Sequence, residues 1–392
     1  MNLAILKPEV QHFINKHLNA DTAKLLFKGS PFSDVTIQEL VIQIISKKKS
    51  ESKLPLWFAT NNIYFPPKVN IEQTSSEATA KYKSSIISGS SLIDITGGFG
   101  VDCYYFSKKI KNVIHCELNT KLSTIVNNNY QQLNINNIET VSGDGIEFLK
   151  NSTNKYDWIY IDPSRRDDTK QKVFLLNDCL PNVPENIDLL FNKTNNILLK
   201  NSPILDITKT IEELKFVKEI HVVAKQNDVK ELLFILQNGY TKNIIIKTIN
   251  YNKKNIQLFD FQYNKEINST YSEPKKYIYE PNSAILKSGG FHEISHQFNI
   301  DKLHQHSHLY TSNKLIDFPG RRFIVNKICN YNKKEIKKYL RENKANITTR
   351  NFPETVSQIR KKTNLKDGGS NYLFFTTVND NKLKVLICSQ VF

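Results

Sequence analysis

From Ser91 onward the sequence alternates short apolar runs with amphipathic stretches, and this alternation constrains the fold more than any other feature. SLIDIT (91–96) reads as a strand, GGFG as a glycine turn and VDCYYFSKKI as a helix. KNVIHCEL (strand), LSTIVNNNYQQL (helix), IETVSG (strand), GIEFLKN (short helix) and YDWIYIDP (strand) follow. The series continues through VFLLNDCL (helix), NILLKN (strand), ITKTIEELK (helix), VKEIHVVAK (strand) and DVKELLFILQNG (helix), and closes on the pair NIIIKTI and NIQLFDF. Strands alternating with helices at this spacing predict an α/β fold with a parallel, doubly wound, Rossmann-like sheet. The closing pair adds an antiparallel edge, which such sheets tolerate.

The flanks read differently. Residues 4–48 have helical spacing, with Pro8 in a first turn and Asp21 and Thr36 as candidate N-caps. Residues 266–319 lack clear periodicity apart from GGFHEISHQF. From Arg322 the order β-α-β-α-β-β predicts a compact α+β module ending in a hairpin across NDNK. The expected organisation is a helical N-terminal region (1–83), a catalytic sheet domain (84–263), a small connecting region (264–319) and a basic C-terminal domain (320–392).

Charge separates these regions further. The chain carries a net +16, yet residues 84–263 hold 21 basic against 20 acidic residues, while residues 320–392 hold 16 against 5. Such density in a folded segment predicts a polyanionic partner. Only 7 of 54 basic residues are arginine, at 165, 166, 321, 322, 341, 350 and 360, where a planar five-donor fork serves better than a point charge. The five cysteines are scattered and never in C-x-x-C spacing, which predicts a reducing, cytoplasmic setting without disulfides or structural zinc. No apolar stretch approaches the ~20 residues a membrane span needs. The first residues contain no signal-peptide core.

The chemistry concentrates at Asp94-Ile-Thr96-Gly97-Gly98-Phe99-Gly100, between a strand and a helix. Glycines let the backbone approach a ligand closely, and the following helix start supplies free N–H groups. Three carboxylates then stand at or just past strand C-termini: Glu117, Asp144 and Asp162. Ligands of open α/β sheets bind at these ends, and an acid about 20 residues past the glycine turn can take both hydroxyls of a ribose. A dinucleotide dehydrogenase would prefer G-x-G-x-x-G; here the glycines fall at 97, 98 and 100.

These residues resemble those of a class I S-adenosylmethionine-dependent methyltransferase. DITGGFG resembles the first motif of that family, D-x-[GFT]-x-G-x-G. The resemblance implies that Asp94, Thr96, Gly97, Gly98, Phe99 and Gly100 hold the methionine portion of S-adenosylmethionine, that Glu117 binds the ribose, and that Asp144 with Gly145 meets the adenine. Asp162-Pro163-Ser164-Arg165 occupies the place of the fourth motif, beside the transferring methyl, and makes Asp162 and Pro163 the catalytic candidates. QTSSE (73–77) resembles a segment that covers the cofactor in RNA-modifying members, which brings in Thr74. Nearly the whole chain is also similar to a bacterial group with a ferredoxin-like piece and a C-terminal THUMP-like domain. EPNSAILKSG, HLYTS, FPGRRF and KANITTRNFP carry this likeness beyond the sheet domain. The THUMP likeness implies structured RNA, tRNA or rRNA, as substrate.

The acceptor motif departs from the family pattern. Exocyclic-amine methyltransferases place an aromatic after Asp-Pro-Pro to stack a flipped base, whereas Ser164-Arg165 stands here. Arg165 and Arg166 can stack on a base, grip a phosphate, or pair with Asp167 or Asp168. Cys179 reads as buried packing rather than a C5 nucleophile. Methyl transfer needs alignment more than acid–base help, so Asp162 is expected to hold and polarise the acceptor or take its proton. Arg321, Arg322, Arg350, Lys361 and Lys362 are expected to contact RNA phosphates. His292-Glu293-Ile-Ser-His296 matches H-E-x-x-H, with His304, His306 and His308 beyond, but reads as an ordinary amphipathic helix, so no metal is expected. Two other functions fit the residues: an RNA-binding protein with a vestigial cofactor site, and a methyltransferase acting on a protein or small molecule.

Overall fold

A computed structural model describes residues 1–165, 175–253, 255–340 and 342–392. The chain forms two compact units: Met1–Lys218 with Leu232–Lys242, and Glu219–Glu231 with Asn243–Phe392.

The first unit begins with helices α1 (Pro8–Lys16), α2 (Thr22–Lys28), α3 (Ile37–Lys53), α4 (Pro55–Ala59), α5 (Lys68–Gln73) and α6 (Glu77–Ser85). Asp21 and Thr36 are N-caps, as expected: Asp21 accepts from the Ala23 amide, and Thr36 forms a reciprocal box with Glu39. The apolar faces of α1–α3 meet in a core of Val10, Ile14, Leu25, Leu40 and Ile44.

The sheet follows: β1 (Ser91–Asp94), α7 (Val101–Phe106), β2 (Asn112–Glu117), α8 (Thr120–Gln132), β3 (Ile138–Ser142), α9 (Gly145–Asn151) and β4 (Trp158–Ile161). Next come a two-residue pair, β5 (Ser164–Arg165) and β6 (Cys179–Leu180), then α10 (Val183–Lys193), β7 (Asn196–Asn201), α11 (Ile207–Glu213), β8 (Val217–Lys225) and β9 (Asp228–Gln237). Within the first unit the strand order is β9-β7-β4-β1-β2-β3. The pairs β7–β4, β4–β1, β1–β2 and β2–β3 are parallel, and β9 lies antiparallel to β7. All four residues of β4 are buried, as a central parallel strand covered on both faces requires. The chain leaves β1 toward β2 and β3, then returns to β4 on the other side. That reversal is the switch point where such sheets open a crevice at their carboxyl ends.

Two expected helices are not helices. DVKELLFILQ is β9: Gln226 and Asn227 both hold positive φ (53° and 60°) in a two-residue turn, which continues β8 into a hairpin. The described part of VFLLNDCL is a 3₁₀ turn at Leu176–Asp178 followed by β6. Glu213 accepts from the Leu176 and Asn177 amides (2.8 and 3.0 Å), and the helix starts only beyond Asn182, which caps α10. Val173 and Phe174 lie outside the described residues. Helix α10 itself was not anticipated.

In the second unit β10 (Ile245–Tyr251) runs parallel to β8 and antiparallel to β11 (Ile256–Gln262), the expected closing pair. Then come β12 (Tyr277–Pro281), α12 (Ser283–Ser288), α13 (Phe291–Phe298), β13 (Asp301–Lys302), β14 (Tyr310–Ser312), β15 (Gly320–Cys329), α14 (Lys333–Lys338), β16 (Asn346–Arg350), α15 (Val356–Thr363), β17 (Asn371–Val378) and β18 (Lys382–Val391). The β-α-β-α-β-β order expected after Arg322 is present. A seven-stranded sheet, β13-β14-β12-β15-β18-β17-β16, also takes in β12–β14, which the sequence pattern left without assignment. Ile336 of α14 and Ile359 of α15 pack against Phe375, Val385 and Ile387 of this sheet.

Candidate functional site

The glycine turn after β1 is shaped by carboxylates. Asp94 is 1% exposed, and its Oδ1 accepts from the Thr96 amide (2.9 Å) and Thr96 Oγ1 (3.1 Å). Burial, then the charge of Asp102, pushes the Asp94 carboxyl up to about 7. Thr96 Oγ1 also accepts from the Asp162 amide at 2.7 Å, tying the turn to the end of β4. Glu117, ending β2, accepts from the Gly98 amide through Oε2 (2.8 Å) and from the Asn119 amide through Oε1 (2.7 Å).

Two glycines are required by contact. A Cβ on Gly97 would stand 2.3 Å from His115 Nε2, because the fully buried His115 ring lies directly beneath the turn. Gly100 holds φ +76°, and a Cβ there would stand 2.3 Å from the Tyr130 hydroxyl, which donates to the Gly100 carbonyl. Phe99 is 3% exposed, so its ring is packed in the core. Asp144 caps α9, with Oδ1 accepting from the Ile146 and Glu147 amides (2.7 and 3.2 Å), and Gly145 packs on Ile95. Asp144 is thus an N-cap, and both cap bonds fall on one oxygen.

Asp162 stands half-buried at the end of β4 and forms an ion pair with Lys200 at the end of β7. Sequence reasoning missed Lys200; a lone cation in the apolar run NILLKN was the available signal. Pro163 is half-buried and Ser164 is exposed in β5, which pairs with Cys179 and Leu180 of β6. Cys179 is buried, as expected, but in a strand. The Arg165 side chain and Arg166, Asp167 and Asp168 lie outside the described residues.

The segment around Thr74 is fixed by a buried network. Ser75 Oγ donates to Asp102 Oδ2 (2.7 Å), as does the Tyr160 hydroxyl (2.9 Å). Lys83, with a fully buried side chain, stands 3.2 Å from Asp102 Oδ1 and donates to Ser75 Oγ. Two residues on, Glu77 accepts from the Leu56 amide (2.6 Å) and the Tyr105 hydroxyl (2.9 Å). Thr74 lies at the C-terminal end of α5, just ahead of these two anchors.

The expected RNA contacts lie in the second unit and are mostly engaged. Arg321 and Arg350 both pair with Glu280. Arg322 donates to the Ile316 carbonyl (3.3 Å), Lys362 pairs with Glu354 (2.7 Å), and Lys361 is exposed on α15. His292 and His296 share a face of α13, but Glu293 is buried and His292 Nδ1 shares a hydrogen bond with Ser269 Oγ. Among the described residues no group of three or more His, Cys, Asp or Glu could hold a metal ion. No helix of the described residues is long and apolar enough to cross a membrane.

Known proteins identify the architecture. Residues 70–230 match the family described as Conserved hypothetical protein 95, residues 277–319 a ferredoxin-like domain, and residues 320–390 a THUMP-like domain. The structure titled "Crystal structure of putative methyltransferase from Porphyromonas gingivalis W83" is 30% identical, with a TM-score of 0.87 over 99% of this chain and 98% of that one. The chain belongs to that methyltransferase family. Its fold is that of the family throughout: the α/β sheet, the helical N-terminal region and the small C-terminal sheet. More distant overlaps include M. capricolum TrmK in complex with S-adenosylhomocysteine (18% identity, 42% of this chain and 70% of that one, TM-score 0.31). Another is an O-methyltransferase from Bacillus cereus with the same compound (13% identity, 44% and 88%, TM-score 0.34). No curated protein matches the chain.

Proposed function

We propose that this methyltransferase uses S-adenosylmethionine as methyl donor and structured RNA, tRNA or rRNA, as acceptor. The observation that carries the donor is the order of groups at the carboxyl ends of β1, β2, β3 and β4: glycine turn, Glu117, Asp144 and Asp162. The residues fit the donor chemically. A Cβ on Gly98 would meet only the Thr96 carbonyl oxygen, at 3.8 Å, so a ligand can approach the turn closely. The Glu117 carboxylate is acceptor-only, and each oxygen retains a lone pair for a ribose hydroxyl beside its backbone bond. Thr74 and Asp144 Oδ2 are the remaining candidates for the adenosyl part. When bound, the donor supplies an activated methyl on a sulfonium.

The chain's own residues supply alignment. Thr96 joins the donor turn to the backbone of Asp162, so donor and acceptor sites share one rigid link. Lys200 holds one oxygen of Asp162, leaving Oδ1 to accept a hydrogen bond from the acceptor and receive its proton. Pro163 fixes the backbone beyond Asp162. Arg165 and Arg166 stand next in sequence, where either can meet a base or a phosphate. The THUMP-like match and the 16-to-5 charge excess of residues 320–392 support RNA as the acceptor.

Calorimetric titration tests the donor half. Wild type binds S-adenosylmethionine, and Glu117→Ala binds at least about tenfold more weakly, the cost of losing hydrogen bonds to a charged acceptor. Equal affinity in the two proteins would remove Glu117 from the site. Methyl label recovered in protein rather than in RNA would replace the acceptor class.

A further inference from the structure

Three segments far apart in sequence meet at one carboxylate in the second unit: EPNSAILKSG, FPGRRF and KANITTRNFP. Methyl-donor chemistry uses none of them. Glu280 of β12 stands opposite Arg321 of β15, and its side chain is only 4% exposed. Its Oε2 accepts from Arg321 through Nε (2.6 Å) and the neighbouring terminal nitrogen. Its Oε1 accepts from Arg350 Nη2 at 2.8 Å, from the end of β16. The two arginine side chains are 41% and 33% exposed. The anion is underneath, and the cations present their outer faces to solvent.

One arginine would neutralise one carboxylate, so the second leaves a surplus positive charge. The two guanidinium groups have ten N–H bonds between them, five each, and few of them reach Glu280. Arg350 Nε is buried without a hydrogen-bond partner. Nearby, the His308 ring stacks on Phe291 (3.7 Å between centroids) with its Nδ1 buried and also unpartnered. Burial, then the charges of Lys302 and Arg350, pushes His308 down to about 4, so the ring is neutral. Lys302 is itself buried and donates to the Gln305 carbonyl. Two arginines, one with an orphaned N–H, on a single buried acid are poorly explained as a structural ion pair.

We infer that Glu280, Arg321 and Arg350 form a phosphate-binding site, in which Glu280 is the positioning residue that holds two arginine forks at a fixed separation. Two forks in fixed orientation match the several oxygens of a phosphoryl group. The phosphate is taken to be one of the RNA backbone, and that part rests on the RNA reading above; a free phosphate shares the chemistry.

The test uses the full-length protein and a fluorescein-labelled RNA hairpin, with inorganic phosphate titrated separately by calorimetry. Arg350→Ala is expected to weaken RNA binding about tenfold and lower the log–log salt slope by about one. Arg350→Lys keeps the charge, so it is expected to retain the slope yet lose most of the affinity; it also serves if the alanine variant unfolds, as judged by its thermal midpoint. Glu280→Gln is expected to weaken binding although it raises the net charge, a result that simple electrostatics cannot give. If wild type binds RNA and folded Arg350 variants bind equally well, the site is overturned and the RNA reading stands. If wild type binds no RNA but binds inorganic phosphate in an Arg350-dependent way, the site stands and the RNA reading fails. If it binds neither, both fail.

Discussion

At the scale of single residues, the site is built from carboxylates and one histidine that shape the backbone before any ligand arrives. His115 shows the physical cost. Its ring is fully buried under Gly97, with neither nitrogen partnered, and burial pushes it down to about 4 from the ordinary 6.5. The unfolded chain therefore binds a proton at 6.5 while the folded chain resists until about 4. Stability from the neutral ring is complete above pH 6.5 and is lost as pH falls toward 4. His115→Leu is expected to abolish that part of the acid sensitivity, worth about 3 kcal/mol across the window. Thermal midpoints of the two proteins, compared from pH 7 to 4, check this; parallel curves would contradict it.

At the scale of elements, legibility followed how local each determinant was. The caps of α2 and α3 were readable because Asp21 and Thr36 act within three residues. The glycine turn, Glu117, Asp144 and Asp162 were readable because strand ends and turn residues announce themselves in sequence. DVKELLFILQ was misread because Leu232, Leu233 and Leu236 fit a helical stripe equally well; pairing with β7 and the left-handed Gln226–Asn227 turn decide the matter, and both need tertiary context. Lys200 escaped for the same reason. It meets Asp162 only because β4 and β7 pair at Ile161–Leu199, which sets the two side by side one residue later. Glu280 was likewise invisible until β12 and β15 aligned.

The link from α5 to α7 is also an element-scale device. Lys83, Ser75 and Tyr160 surround the buried Asp102 and hold that carboxyl below its ordinary range against the opposing effect of burial. Removing one partner of such a pair leaves an uncompensated buried charge, at about 3–5 kcal/mol. Lys83→Met is therefore expected to raise amide hydrogen exchange across Gln73–Glu77 by orders of magnitude and to weaken donor binding. Unchanged protection there would mean that the network does not fix Thr74.

At the scale of the whole molecule, charge is organised rather than spread. Residues 320–392 hold much of the +16, yet their arginines are anchored: Arg321 and Arg350 on Glu280, Arg360 on Asp367. Arginine is rare in this chain, and these positions use the planar fork in ways a lysine could not reproduce. The proposed donor site lies in the first unit, while the anchored cations stand in the second. The account thus assigns methyl transfer to one unit and phosphate contacts to the other. Its central claim is tested most directly by incubating purified protein with methyl-tritiated S-adenosylmethionine and total RNA, then measuring label in RNA with and without ribonuclease. The account predicts ribonuclease-sensitive label, reduced about 100-fold or more in Asp162→Ala and strongly in Lys200→Met. Label that is absent from RNA, or undiminished in Asp162→Ala, would contradict it.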